Sequence, residues 1–571
     1  MRRLTAGLVM VALLLVTVGG RLVQLQGVDG PQLARAAEDQ RLHSFTVPAL
    51  RGQILDRDGS PLAYSVDVRN IVADPAMVKD PAATAARLSA LVGVPAAQLQ
   101  AQLERTGTRN VVLVRGLAPA EASRVLDAGL VGIFSQDDSR RLYPSRSVGA
   151  NVVGFAGRDG TGLAGIEQEF NDRLAGTSGG LVAEAGRGGE LIPGTVRAQT
   201  PAVSGSTVQL TLDQDLQYVT QSALSDAVQR SGARGGQAVV LDVRTGQVLA
   251  LAVAPTFDAQ AAQDGTVGRS ATLDNPGVSS VFEPGSVNKV VTFAAALESG
   301  TIDPHTVLAV PGSIRVADRV VHDAWPHGLV RYTATGVVGK SSNVGTLMIA
   351  QRLGPRVFDE YLRRFGLGSR TGIELPGESA GLLLPLDRWS GSTFGNLPIG
   401  QGVGMTVLQM AGMYQAVANN GLRVTPRIVR AVVAPDGTRS VPAPPSSVQV
   451  VSPQTARTLR YMLEAVVQAK GGTAPSAAID GYLVAGKTGT AQQTDPRCGC
   501  YGDGRYWATF AGMAPADSPR LVVGIMIDSP RGGLHGGAVA APTFRQIMTY
   551  ALRQRAVPPT GAPMPTFQLL G

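Results

Sequence analysis

Three short clusters carry side chains suited to acyl transfer. The first is Phe282-Glu283-Pro284-Gly285-Ser286-Val287-Asn288-Lys289. A helical pattern follows from Val287 to Leu297 and stops at Gly300. Ser286 and Lys289 are three apart, which puts them on one helix face about one turn from each other. Serine is a weak nucleophile until a neighbouring base takes its proton. A lysine pressed against apolar groups loses basicity and can be that base. Ser286 near a helix start also has backbone N–H groups at hand for developing negative charge. Alone, the Ser-x-x-Lys spacing is common by chance.

The second cluster, Lys340-Ser341-Ser342-Asn343, lies 341 − 286 = 55 residues beyond Ser286. A hydroxyl at Ser341 can relay a proton, and the Asn343 amide can orient a substrate amide. The same residues also suit a helix cap. The third cluster is Ala485-Gly486-Lys487-Thr488-Gly489-Thr490, inside an apolar strand pattern. Gly489 allows close backbone approach, and Lys487 with Thr488 and Thr490 suits a terminal carboxylate. Alone, it reads better as a strand-end turn. Lysine is scarce in this chain: of 51 basic residues, only Lys79, Lys289, Lys340, Lys470 and Lys487 are lysine, leaving 51 − 5 = 46 arginines. Arginine cannot act as a base, so Lys289 and Lys487 stand where arginine would fail. Lys79 and Lys470 read as chance retention.

Elements on either side must position these clusters. A chain of 571 residues exceeds one core. Arg2 and Arg3 precede an apolar run from Leu4 to Gly20, which reads as an uncleaved anchor more readily than as a cleaved signal peptide. The organisation expected is residues 1–3 cytoplasmic, 4–25 a single transmembrane anchor, 26–204 a mixed region, 205–555 an α+β domain and 556–571 a flexible, Pro-rich tail. In the α+β domain, strands are expected at 207–212, within 237–251, and at 481–492, 506–514 and 521–528, with a helix over 215–229. Gly179-Gly180 and Gly188-Gly189 read as turns. The formal charge of +8 suits anionic lipid or wall polymers as well as a merely basic surface, and no nucleic-acid motif is present. Cys498 and Cys500 are open between a small disulfide and two thiols. His322, His327 and His535 lack zinc spacing, so no metal and no cofactor is expected; with Asp323 and Trp325 they read as local structure or cleft lining.

Ser-x-x-Lys, Ser-x-Asn and Lys-Thr-Gly in this order form the motif set of penicillin-recognising enzymes. The chain resembles the class B penicillin-binding proteins, and within them the division-type (FtsI-type) transpeptidases of actinobacteria. Arg51-Gly52-Gln53-Ile54-Leu55-Asp56-Arg57-Asp58-Gly59, Arg141-Leu142-Tyr143-Pro144, Gly162–Glu167, Gly400-Gln401-Gly402 and Gly536–Pro542 carry that resemblance over nearly the whole length.

The resemblance implies an elongated pedestal over residues 26–204 and a penicillin-recognising domain with an antiparallel sheet flanked by helices. It implies a serine D,D-transpeptidase that cross-links peptidoglycan stem peptides in septal wall synthesis. Ser286 would attack the D-Ala-D-Ala donor, Lys289 would be the base and Ser341 the proton relay. Asn343, Lys487, Thr488, Gly489 and Thr490 would bind substrate. An amine acceptor would resolve the acyl-enzyme, and β-lactams would acylate Ser286. Implied partners are an FtsW-type membrane glycan polymerase and other division proteins, with the catalytic domain outside the cell membrane at the septum. Alternatives in view are an elongation-type transpeptidase, a D,D-carboxypeptidase or β-lactamase-like hydrolase, and a non-catalytic division scaffold. Arg51, Asp56, Arg57 and Glu167 read as buried ion pairs of structural value.

Overall fold

The structure is a computed structural model that describes residues 2–186, 192, 194–268, 272–495, 497–498 and 500–571. Helix α1 (Arg2–Val23) has no buried residue. With the turn that follows it, it is long and apolar enough to cross a membrane: an 18-residue window within Arg2–Val28 has a mean hydropathy of 2.2.

The chain forms two compact units, each discontinuous in sequence. The first takes residues 1–52, 65–141 and 175–205. It contains a three-stranded antiparallel sheet of Leu42–Val47, Gly179–Glu184 and Ala198–Thr200. It also contains a small core in which Leu88 and Leu99 of two helices meet Ile71, Val111 and Val125. Gly179 and Gly180 thus lie in a strand, not in a turn. A Cβ at Gly179 would collide with Thr200 O, so the missing side chain serves close strand approach. The Gly188-Gly189 pair lies outside the described residues.

The second unit takes residues 53–64, 142–174 and 206–571. Its elements in chain order include α2 (Gln214–Ser231), β1 (Gly235–Asp242), β2 (Val248–Ala254), α3 (Lys289–Glu298), α4 (Ala334–Lys340) and α5 (Asn343–Leu353). They continue with α6 (Val407–Ala418), α7 (Pro453–Gln468), β3 (Ala485–Asp495), β4 (Cys500–Ala514), β5 (Leu521–Asp528) and α8 (Ala540–Gln554). The five strands make one antiparallel sheet in the order β2-β1-β5-β4-β3.

Both faces of this sheet are covered, and the period-2 alternation of strands explains how. Ala238 and Val240 of β1 and Val523 and Ile525 of β5 pack with Leu224 of α2 and Phe544 of α8. Val239 and Leu241, with Val522 and Met526, face the opposite core, which holds Met410 and Tyr414 of α6 and Val290 of α3. Strands buried on two sides read as continuous apolar runs, which is why 237–251 and 521–528 were legible. Asp56 closes a turn: its Oδ1 accepts the N–H groups of Asp58 (2.9 Å) and Ser60 (2.7 Å), a use of the carboxylate that the ion-pair expectation did not include.

The end of the chain also differs from expectation. Residues 566–571 are docked along α4 and the Val330–Thr333 strand. Tyr461 Oη donates to Thr566 O (2.9 Å), and Thr333 Oγ1 donates to Gln568 O (2.6 Å). Thr333 N donates to Leu569 O (3.1 Å), and Gly571 N donates to Arg331 O (3.0 Å). A Cβ at Gly336 of α4 would collide with Leu569 O. The open edge of a short strand supplies the partners, a property the local sequence of the tail does not display.

Candidate active site

The segment that carries Ser286 is a backbone device. Gly285 adopts φ +60°, and residues Gly285–Asn288 make a 3₁₀ turn that runs straight into α3. In a 3₁₀ turn residues three apart eclipse one another, so Ser286 and Lys289 line up more closely than α-helical spacing alone gives. The turn is held from three sides. Gly285 N donates to Gly400 O (3.0 Å), Asn288 Nδ2 to Leu397 O (2.8 Å), and the fully buried Tyr414 Oη to Val287 O (2.9 Å). Burial pushes the Tyr414 hydroxyl well above its usual titration range, which keeps it a donor. Ser286 remains partly exposed, while Lys289 is fully buried.

Ser341 ends α4 in the left-handed region at φ +62°, and Ser342 caps α5 by accepting Gly345 N at 2.9 Å. The cap reading and the functional reading of this cluster therefore coexist. The break between the helices turns polar groups toward α3. Lys289 Nζ donates to Ser341 O (2.6 Å) and Asn343 Oδ1 (2.7 Å), with Ser341 Oγ at 3.4 Å. From the other side, Lys487 Nζ donates to Ser341 Oγ (2.9 Å) and Thr488 O (3.0 Å). One hydroxyl thus stands between two fully buried lysines. Desolvation lowers Lys289 to a pKa of about 7 against a counter-pull from Asp323. Desolvation, with the like charge of Lys289, takes Lys487 well below its ordinary range.

β3 brings the third cluster alongside. Thr488 Oγ1 shares a hydrogen bond with Thr473 Oγ1 (2.9 Å), and Thr490 Oγ1 accepts Gly536 N (3.4 Å). A Cβ at Gly489 would collide with Thr509 Oγ1, and one at Gly285 would stand 3.1 Å from Thr490 C and O. Two glycines therefore let the Thr490 backbone lie directly against the turn carrying Ser286. All eight residues expected from sequence, Ser286, Lys289, Ser341, Asn343, Lys487, Thr488, Gly489 and Thr490, come together in this one cluster.

Sequence reasoning missed Glu283 and Tyr501. The Tyr501 hydroxyl meets both Glu283 carboxylate oxygens at 3.0 Å, and Gly402 N donates to Glu283 Oε1 at 2.9 Å. This ties the β3–β4 hairpin to a residue three before Ser286. The pair is 218 positions apart, so no local spacing announces it. Cys498 and Cys500 are bridged within that hairpin. His327 pairs with Asp323 at 2.9 Å. His322 is exposed and offers its carbonyl to Asn343 Nδ2 at 3.1 Å; His535 is exposed beside Gly536.

The comparisons with known proteins point to one family. Residues 236–549 match the penicillin binding protein transpeptidase domain, and residues 46–210 match the penicillin-binding protein dimerisation domain. The chain is 46% identical to the penicillin-binding protein PbpB of Mycolicibacterium smegmatis, over 100% of this chain and 92% of the relative. It is 33% identical to the peptidoglycan D,D-transpeptidase FtsI of Escherichia coli, over 95% and 90%. The crystal structure of penicillin binding protein 3 from Mycobacterium tuberculosis, complexed with aztreonam, superposes with a TM-score of 0.73 at 45% identity. It covers 92% of this chain and 100% of that one. The chain belongs to the class B penicillin-binding proteins. Its activity is that of an FtsI-type peptidoglycan D,D-transpeptidase, of the serine acyl-enzyme kind, serving cell division.

Proposed function

We propose that Ser286 is the acylated nucleophile, Lys289 its base and Ser341 the proton relay. Asn343, Lys487, Thr488, Gly489 and Thr490 form the substrate-binding face. The observation that carries this is the bonding of Lys289. A neutral amine has two N–H groups, and two oxygens, Ser341 O and Asn343 Oδ1, take them at 2.6 and 2.7 Å. The lone pair is then left for the Ser286 hydroxyl proton.

In the reaction, Ser286 Oγ attacks the penultimate D-alanine carbonyl of a donor stem peptide, and its proton passes to Lys289. The oxyanion forms against the backbone N–H groups of Ser286 and Thr490, where each donor contributes about 3 kcal/mol. Collapse breaks the peptide bond. The leaving amine of the terminal D-alanine takes its proton through Ser341, which bridges the two lysines. An acceptor amine then attacks the ester, forms the cross-link and frees Ser286. Lys487 and the threonine hydroxyls receive the donor's terminal carboxylate.

The Mycobacterium tuberculosis relative was solved with aztreonam and with ampicillin, and β-lactams acylate Ser286 here as mimics of the donor. The apolar α1, which opens with Arg2 and Arg3, supports a membrane anchor with the catalytic unit outside. Residues 26–204 serve support and recruitment at the septum, beside an FtsW-type glycan polymerase. Intact-protein mass spectrometry with penicillin tests the core of the reading. One adduct is expected in the wild type and none in Ser286→Ala; an adduct that survives in Ser286→Ala overturns it.

A further inference from the structure

Asp323 lies in the stretch between the strands Arg319–His322 and Val330–Thr333, 341 − 323 = 18 residues before Ser341. Its side chain is wholly buried, and a buried carboxylate needs its acceptor sites filled. All the groups that fill them converge on the start of α5 or on one histidine. Oδ1 accepts the N–H groups of Asn343 and Val344 (the latter at 3.0 Å); Oδ2 accepts Ser342 Oγ (2.7 Å) and pairs with His327 Nε2 (2.9 Å). The carboxylate therefore sits at the positive end of α5, where a helix favours an anion. It fixes Ser342, Asn343 and Val344 at once.

Those three residues follow the left-handed Ser341. A Ser341 at φ +62° is a costly backbone state that persists only where its surroundings impose it. Lys289 takes its two closest acceptors, Ser341 O and Asn343 Oδ1, from this same segment. We infer that Asp323 is a positioning residue of the transpeptidation site: it holds the Ser341–Asn343 turn against Lys289 and supplies the negative charge that faces the buried Lys289 amine. The inference rests on the reading of Lys289 as base.

The charges facing Lys289 are few. Asp323 opposes the desolvation that brings Lys289 to about 7, and Lys487 stands across Ser341 Oγ. His327 closes the outer side of Asp323 and turns Nδ1 to Gly328 O at 2.7 Å. Removal of the Asp323 charge therefore takes away the pull that favours protonated Lys289. The amine becomes neutral at lower pH, while the disturbed turn slows the reaction at every pH.

The test is the second-order rate constant for penicillin acylation of the full-length, detergent-solubilised protein from pH 5 to 9, with the labelled residue identified in each sample. Asp323→Asn is expected to lower the alkaline plateau by about tenfold to 100-fold and to move the midpoint of the acid limb to lower pH. Asp323→Glu keeps the charge and shifts its oxygens, so its plateau falls while the midpoint stays nearer to the wild type. Should Asp323→Asn not fold, Ser342→Ala removes one bond and leaves the charge: the plateau falls and the midpoint holds. A plateau within twofold of wild type and an unmoved midpoint in Asp323→Asn, or an unchanged plateau in Ser342→Ala, overturns the inference. Wild-type label at a residue other than Ser286 instead overturns the reading on which it rests.

Discussion

The two ends of the active site bury the same side chain to different ends. On α3, Lys289 is enclosed by helix, yet it meets the carboxylate field of Asp323 and two carbonyl oxygens. On β3, Lys487 is equally buried, but the charge it meets is that of Lys289, and its bonds go to hydroxyls and to the carbonyl of Thr488. Desolvation depresses both amines; the surroundings decide what each is good for. Lys289 is balanced near neutrality, where a base works best. On the proposal that Lys487 seats the donor's terminal carboxylate, that anion supplies a counter-charge and favours the protonated form.

The contrast breaks first at Lys289. Lys289→Arg keeps the charge and removes the base, so acylation is expected to fall by about 10²–10⁴-fold. Stopped-flow measurements with a fluorescent penicillin would read this; a rate within threefold of wild type would make both lysines mere charges. Lys487→Gln removes one charged donor from the carboxylate seat, a loss of about 1.5–3 kcal/mol. The dissociation constant of the pre-acylation complex should rise by about 10–100-fold, more than the limiting rate constant falls. A loss confined to the rate constant would assign Lys487 to the chemistry.

A third measurement needs no variant at Lys289. Protonation removes the base, so acylation should drop by about tenfold per pH unit below a midpoint near 7. A flat profile between pH 5 and 8 would place the working proton elsewhere. The β3 end has its own signature: an anionic ligand should raise the depressed Lys487 amine, so Ser286→Ala protein that binds a D-Ala-D-Ala peptide should take up protons over some part of a pH series from 6 to 10. Calorimetry in two buffers of different ionisation enthalpy reads that uptake, and its absence means Lys487 is already charged. The smallest effect is expected at the hairpin, where Cys498→Ser with Cys500→Ser should leave acylation within about twofold, as usual for changes away from the reacting groups.

What the sequence displayed were features with short spacing. Ser286 and Lys289 share one turn, Lys487 to Thr490 share one strand, and the doubly covered strands read as apolar runs. The scarcity of lysine was also informative: Lys289 and Lys487 are fully buried, while Lys79 and Lys470 are exposed. The rest depended on long closures. Asp323 reaches α5 across about twenty residues, Glu283 meets Tyr501 from another part of the chain, and Gly179-Gly180 read as a turn because glycine in a strand has the same local signal. The two compact units are each discontinuous, which no composition shift along the chain foretells.

The docked end of the chain bears on how the protein is handled in the laboratory. Thr333, the residue that caps α4, is held by Gln568 and Leu569, and α4 leads directly into Ser341. A fluorescent reporter or purification handle joined after Gly571 would be tethered to a strand that braces this helix. Its bulk and its tumbling would be felt a few residues away, at the start of α4.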